Sequence, residues 1–122
     1  MIKRLDRLDV ATSDLENAAS IYERNFGFKV NRSPASDSAS VVVGGAEIRL
    51  VAGALAKAAI ESQGEGMTGL WLEAEDVEQV AEALRNAGLA AGGIRKEQGR
   101  RVLVVDPKIA NQVPLFIFDR KG

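Results

Sequence analysis

The chain contains neither histidine nor cysteine. An imidazole base, a Ser-His-Asp triad, a thiol nucleophile, a disulfide and a His-ligated metal are therefore all excluded. Chemistry is left to carboxylates, guanidinium and ammonium groups, and hydroxyls. Glu73 or Glu75 would become a base near neutral pH only where dry surroundings raise its pKa, and the sequence pairs neither with a partner acid. A basic cluster of Arg95, Lys96, Arg100 and Arg101 surrounds Gly99. Glu97 is interleaved there and no glycine-rich loop opens a helix, so the cluster reads as a solvated turn rather than a phosphate contact. Gly44-Gly45 and Gly92-Gly93 mark turns, and the chain carries no phosphate-loop or dinucleotide fingerprint. No catalytic set and no cofactor are assigned.

The elements that must position these groups come in two similar sets. An offset of 62 residues places Leu8 on Leu70, Val10 on Leu72, Asp14 on Asp76, Glu16 on Glu78 and Ala19 on Ala81. Val41-Val42-Val43 then falls on Leu103-Val104-Val105, and Leu50 meets Leu115 after three further residues. A period of half the chain implies two related modules. In the first, Leu8 and Val10 alternate with Arg7 and Asp9 as in a strand. Ser13-Asp14-Leu15-Glu16 then reads as a capping box, and Leu15, Ala18, Ala19, Tyr22 and Phe26 form a helical stripe closed by Gly27. Strands follow near 28–32, 40–43 and 47–51. The second module repeats this: a strand over 69–73, a cap at Glu75 and Asp76, and a stripe of Val77, Val80, Ala81 and Leu84 closed by Gly88. Strands near 89–95, 102–105 and 113–118 complete it. The order is βαβββ twice, an α+β chain, with modules at about 1–53 and 67–122. Residues 54–66 connect them, with a short helix over 54–61.

At 122 residues there is room for one domain, and 27% charged residues with 46% hydrophobic suit a globular chain. The net charge of −1 supplies no field for nucleic acid or an anionic membrane. Met1 to Asp6 lacks a signal peptide's apolar core and no run approaches the roughly 18–20 apolar residues of a membrane span, so a cytoplasmic protein is expected.

Leu8-Asp9-Val10-Ala11-Thr12-Ser13-Asp14-Leu15-Glu16-Asn17-Ala18, followed by Tyr22 and Gly27-Phe28, resembles the opening of vicinal-oxygen-chelate proteins, the glyoxalase I, bleomycin-resistance and extradiol-dioxygenase superfamily. Asp106-Pro107 with Asn111 looks like that family's closing turn. The resemblance implies two βαβββ modules whose curved mixed sheets form a cup, often completed in a homodimer. Open sheet edges favour the same pairing. It also implies a divalent metal held by a His or Gln on a module's first strand and a Glu late in it. Those positions fall here on Arg7, Gly69, Arg49 and Pro114. None binds a hard cation and two are permanently cationic, so no metal is expected.

If Leu8 and Val10 face the helix, the cup is lined by Arg7, Asp9, Glu47, Arg49, Trp71, Glu73 and Phe116, with Phe118 beyond. Such a surface suits a small amphipathic ligand, its apolar part on Trp71 or Phe116 and its anion on Arg7 or Arg49. Equally, Arg7 and Arg49 fit an internal network with Asp9, Glu47 or Glu73, since buried charges persist when paired. Trp71 and Phe116 serve packing as readily as ligand contact. The expectation is a metal-free small-molecule-binding protein. The alternatives are a cofactor-free isomerase or lyase with Glu73 or Asp9 as base, or a filled cup acting through its dimer surface.

Overall fold

The computed structural model describes residues 1–121. The chain divides into two compact units, one of Arg7–Thr68 and one of Met1–Asp6 together with the residues from Gly69 onward. The division falls inside the first strand, β1 (Ile2–Ala11).

In the unit Arg7–Thr68, β1 leads into helix α1 (Leu15–Phe26). Its N-cap is Asp14, whose carboxylate accepts the Asn17 N–H at 3.0 Å. The capping box expected on Ser13 and Glu16 does not form. A carboxylate one residue nearer answers the positive helix end more strongly than a hydroxyl. Ser13 and Glu16 are thereby free to bond Glu65 and Arg32. Gly27 ends the helix at φ 70°. Ala19, with Leu15, Ala18 and Tyr22, packs on Val30, Ala39, Val41 and Leu50. Strand β2 (Asn31–Ser33) starts later than 28 because Phe28 and Val30 are drawn into that cluster. Arg32 then ties β2 to α1, bonding Glu16 and Glu23 at 2.9–3.0 Å. These bonds hold the Glu23 carboxyl below its usual range.

Strands β3 (Ser38–Val43) and β4 (Ala46–Val51) form the hairpin marked by Gly44-Gly45. β4 pairs parallel with β1, so the sheet runs β2-β3-β4-β1. Helix α2 (Gly53–Gln63) is longer than expected and packs Ala56 on Ala11 and Val51, which makes most of the expected connector part of this unit.

The second unit repeats the topology. β5 (Gly66–Ala74) leads to helix α3 (Val77–Asn86), capped by Asp76 through the Glu78 N–H at 2.9 Å. Strands β6 (Ile94–Glu97), β7 (Arg100–Val105) and β8 (Leu115–Asp119) follow, and β8 pairs parallel with β5 to give β5-β8-β7-β6. β6 begins after 89 because the Leu89 N–H bonds Leu84 O at the end of α3. β8 begins after 113 because Val113 N–H and Gln112 N–H bond back to Ala110 O and Pro107 O. Ala74, Val77, Val80, Ala81, Leu103, Val105 and Ile117 form the core under α3. Both units are βαβββ, and the α+β class is as the sequence predicts. Among the described residues no helix is long and apolar enough to cross a membrane.

The basic cluster is not wholly a solvated turn. Arg101 reaches the α3 side of its strand and bonds Asp119 at 2.6 and 3.1 Å and Asp76 at 3.0 Å. Asp119 is 1% exposed and also accepts the Val77 and Lys121 amides. Burial alone would raise its pKa, but Arg101 and the two amides bring it down to about 2. A pKa depressed by folding adds stability above the ordinary carboxylate value, and that stability is lost as pH falls towards 2. The urea midpoint is therefore expected to drop between about pH 4 and pH 2. Asp119→Asn should cost about 3 kcal/mol at pH 7 and flatten part of that acid limb, since one partner of a buried pair is removed. A neutral-pH midpoint unchanged in the variant would show that the pair does not anchor α3.

Candidate functional site

Side-chain alternation divides each sheet into a helix face and an opposite face. In the unit Arg7–Thr68, Val10 and Leu50 pack towards α1. Arg7, Asp9 and Ala11 on β1 and Glu47, Arg49 and Val51 on β4 therefore share the other face, in register Arg7 with Glu47 and Asp9 with Arg49. On β3, Ser40 stands beside Arg49 and Val42 beside Glu47. α2 covers this face at Ala11 and Val51. Four of the predicted residues are thus brought together, but unequally. Arg7 Nε donates to Asp9 Oδ1 at 2.9 Å, with both side chains mostly buried. Arg49 and Glu47 are half-buried, and among the described residues neither enters an ion pair.

The corresponding face of the other unit carries Trp71, Glu73, Phe116 and Phe118 and is filled by its own side chains. The Trp71 and Phe116 rings stack at 4.6 Å and 12°, and Phe118, fully buried, lies 6.2 Å from Trp71. The Arg100 guanidinium sits 5.0 Å from the Phe118 centroid and 5.7 Å from that of Trp71, and Arg120 is 5.5 Å from Phe118. Cations over ring faces are attracted by the ring quadrupole. Glu73 is 6% exposed. Its Oε1 accepts from Arg4 at 3.0 Å, while its Oε2 accepts from Arg120 at 3.3 Å and lies 3.9 Å from Lys3. Sequence reasoning missed Lys3, Arg4, Arg100 and Arg120 as partners. Only strand pairing shows which cations reach which ring or carboxylate.

The residues present do not fit the metal that the fold implies. Leu8 pairs with Ile48 and Leu70 with Leu115, so the counterpart of Arg49 is Phe116 rather than Pro114, and that of Leu50 is Ile117. The turn before β8 absorbs two more residues than the sequence offset suggests. Arg7 is occupied by Asp9, and a Cβ on Gly69 would approach Phe116 Cε2 to 3.0 Å. The Phe116 ring occupies the space where a ligating side chain would stand. Among the described residues no group of three or more acidic side chains could hold a metal ion.

Two cavities lie beside the turn between β1 and α1. One, of about 400 Å³, is lined by Thr12, Ser13, Gly53, Lys57, Ile60 and Glu61. The other, of about 310 Å³, includes Thr12, Ile21, Tyr22 and Glu65 in its lining. Glu65 bonds the Ser13 amide, the Ser13 hydroxyl and the Thr12 hydroxyl, and these bonds, led by the amide, lower its pKa.

Gly69→Ala should displace the Phe116 ring. Overpacking of this kind costs about 1–3 kcal/mol, and the near-ultraviolet circular dichroism of the stacked Trp71 should weaken. Unchanged spectra and stability would mean that the ring moves freely.

The family model described as Glyoxalase/Bleomycin resistance protein/Dioxygenase superfamily matches residues 4–107. Among solved structures, the chain is similar to a methylmalonyl-CoA epimerase in complex with methylmalonyl-CoA and NH4+, at 18% identity and TM-score 0.70, covering 98% of this chain and 95% of that one. A hypothetical protein from Bacillus halodurans C-125 gives 16%, 0.73, 98% and 95%. A methylmalonyl-CoA epimerase from Mycobacterium tuberculosis gives 22%, 0.69, 97% and 88%. At these identities the likeness is one of fold. No curated protein matches the chain.

Proposed function

We propose that this chain, which belongs to the glyoxalase/bleomycin resistance protein/dioxygenase superfamily, is a metal-free small-molecule-binding protein whose ligand is gripped by Arg49. The observation that carries this reading is the inequality between two neighbouring arginines. Arg7 is engaged by Asp9, whereas Arg49 is half-buried on the same face and makes no ion pair among the described residues. A guanidinium partly withdrawn from water gains most from a ligand carboxylate or phosphate that it can meet with two parallel bonds. Glu47, equally without an ion pair, stands two residues along the strand. It disfavours a second negative charge and accepts a hydrogen bond. The ligand class that satisfies both is a small monoanion carrying a hydroxyl or an amine. In this reading Arg7 and Asp9 hold the face in shape, Glu47 and Arg49 take the ligand, and Trp71, Glu73 and Phe116 are packing.

Catalysis by Asp9 or Glu73 as base is the weaker reading. Asp9 Oδ1 is bonded by Arg7, and both oxygens of Glu73 face cations, so each carboxylate is already engaged by a cation. The binding reading extends to a homodimer, supported by the outer strands β2 and β6, each paired on one side only among the described residues.

Thermal unfolding with a panel of small hydroxy- and amino-carboxylates tests the proposal. At least one compound should raise the melting temperature, and Arg49→Met, which removes the charge-assisted contact, should weaken its binding about 10–100-fold. A panel without effect, or equal binding by Arg49→Met, would sink it. So would stoichiometric zinc, nickel, manganese or iron in the purified protein.

A further inference from the structure

Away from that face, the turn between β1 and α1 holds a set of donors converging on one point. The Ser13 N–H, the Ser13 hydroxyl and the Thr12 hydroxyl meet Glu65 Oε1 at 2.6, 2.8 and 3.3 Å. Thr12 is held in place by contacts that do not involve Glu65. Thr12 N–H bonds Val51 O at 2.9 Å, and Asp14 N–H bonds the Thr12 hydroxyl at 3.1 Å. Thr12 is 7% exposed, so its hydroxyl belongs to the built interior rather than to a mobile surface. The Ser13 amide and hydroxyl, with the Thr12 hydroxyl shared between Glu65 and Asp14 O at 3.2 Å, form a carboxylate-binding nest.

Glu65 is exposed and reaches this nest from between two glycines, Gly64 at φ 79° and Gly66 at φ 131°. Both angles lie where other residues are strained, so the segment is shaped to present the carboxylate and has the backbone freedom to withdraw it. Both cavities border the nest. The larger has Thr12 and Ser13 in its wall and carries Lys57, which enters no ion pair among the described residues, beside Ile60. A groove of about 400 Å³ with these donors, the Lys57 ammonium and an apolar patch, and with Glu61 also in its wall, suits a small monocarboxylate with a short apolar tail.

We propose that this groove is a second ligand site, selective for small carboxylates, and that Glu65 is its resident occupant, a built-in competitor that an incoming carboxylate displaces. The competition is intramolecular, so external ligand binds weakly until Glu65 is removed. Lys57 gives the external ligand a contact that Glu65 lacks.

The experiment follows the Ser13 amide in proton–nitrogen correlation spectra during titration with sodium propionate. All variants carry Arg49→Met, so that failure of the first proposed site and failure of this one are distinguishable. Adding Glu65→Ala should shift the Ser13 amide, propionate should return it towards its original position saturably, and the affinity should exceed that of the Arg49→Met parent at least tenfold. Adding Thr12→Val and Ser13→Ala to Glu65→Ala should abolish binding, and adding Lys57→Met should weaken it several-fold. Glu65→Gln keeps a neutral acceptor and protects the test against a folding defect in the alanine variant; its propionate affinity should fall between those of the parent and Glu65→Ala. A Ser13 amide that ignores propionate in Glu65→Ala, or a Glu65→Gln affinity equal to the parent's, would overturn the proposal and leave Glu65 as a structural tie.

Discussion

Parallel pairing of the first strand of each unit with its last is the constraint on which the remaining arrangement depends. Because alternate residues of a strand point to opposite faces, the pairing of Leu8 with Ile48 and of Leu70 with Leu115 decides at once which side chains lie under a helix and which lie on the other face. A slip of β1 by one residue against β4 would carry Arg7 and Asp9 into the α1 core and turn Val10 outward. The apolar stripes of α1 and α3 prevent that slip, since each helix has apolar surface that only one register of its sheet covers.

Given that register, the two units treat the same face differently. One fills it with a stacked Trp71–Phe116 pair and a tilted Phe118, with Arg100 and Arg120 over the rings, beside a Glu73 carboxylate surrounded by cations. The other leaves it polar, with one internal ion pair and one arginine outside it. Burying a charge without a partner is costly. Arg49, half-buried and in no ion pair among the described residues, differs in this from Arg7. The fold persists without the metal ligands that its family implies, because core apolar contacts and helix caps maintain the strands. Gly69 shows the substitution at one point: the missing side chain is replaced by the ring of Phe116.

Much of this was legible in the sequence. The 62-residue repeat matches the βαβββ order found in both units, both parallel strand pairs obey the alternation seen in Leu8 and Val10, and the family resemblance agrees with the family match. Errors fell where long-range contacts compete with local signals. Ser13 looked like a cap until Asp14 took the helix end. Phe28 and Leu89 looked like strand residues but serve α1 and the end of α3. Arg101 looked solvated, because the sequence does not reveal that Asp119 lies across the strand pair.

By itself the sequence determined the class of chemistry and the class of fold: without histidine or cysteine the chain is confined to charge and hydrogen bonding, and its periodicities admit only βαβββ units. Which charges are already neutralised was decided by tertiary structure alone. Ion pairing depends on a few ångströms between side-chain atoms, and chain spacing does not encode that distance: Arg7 and Asp9 pair two residues apart, whereas Glu47 and Arg49, at the same spacing, form no ion pair among the described residues. Arg7 and Arg49 look equivalent in the sequence; only the folded sheet, with Asp9 within reach of Arg7, makes them differ.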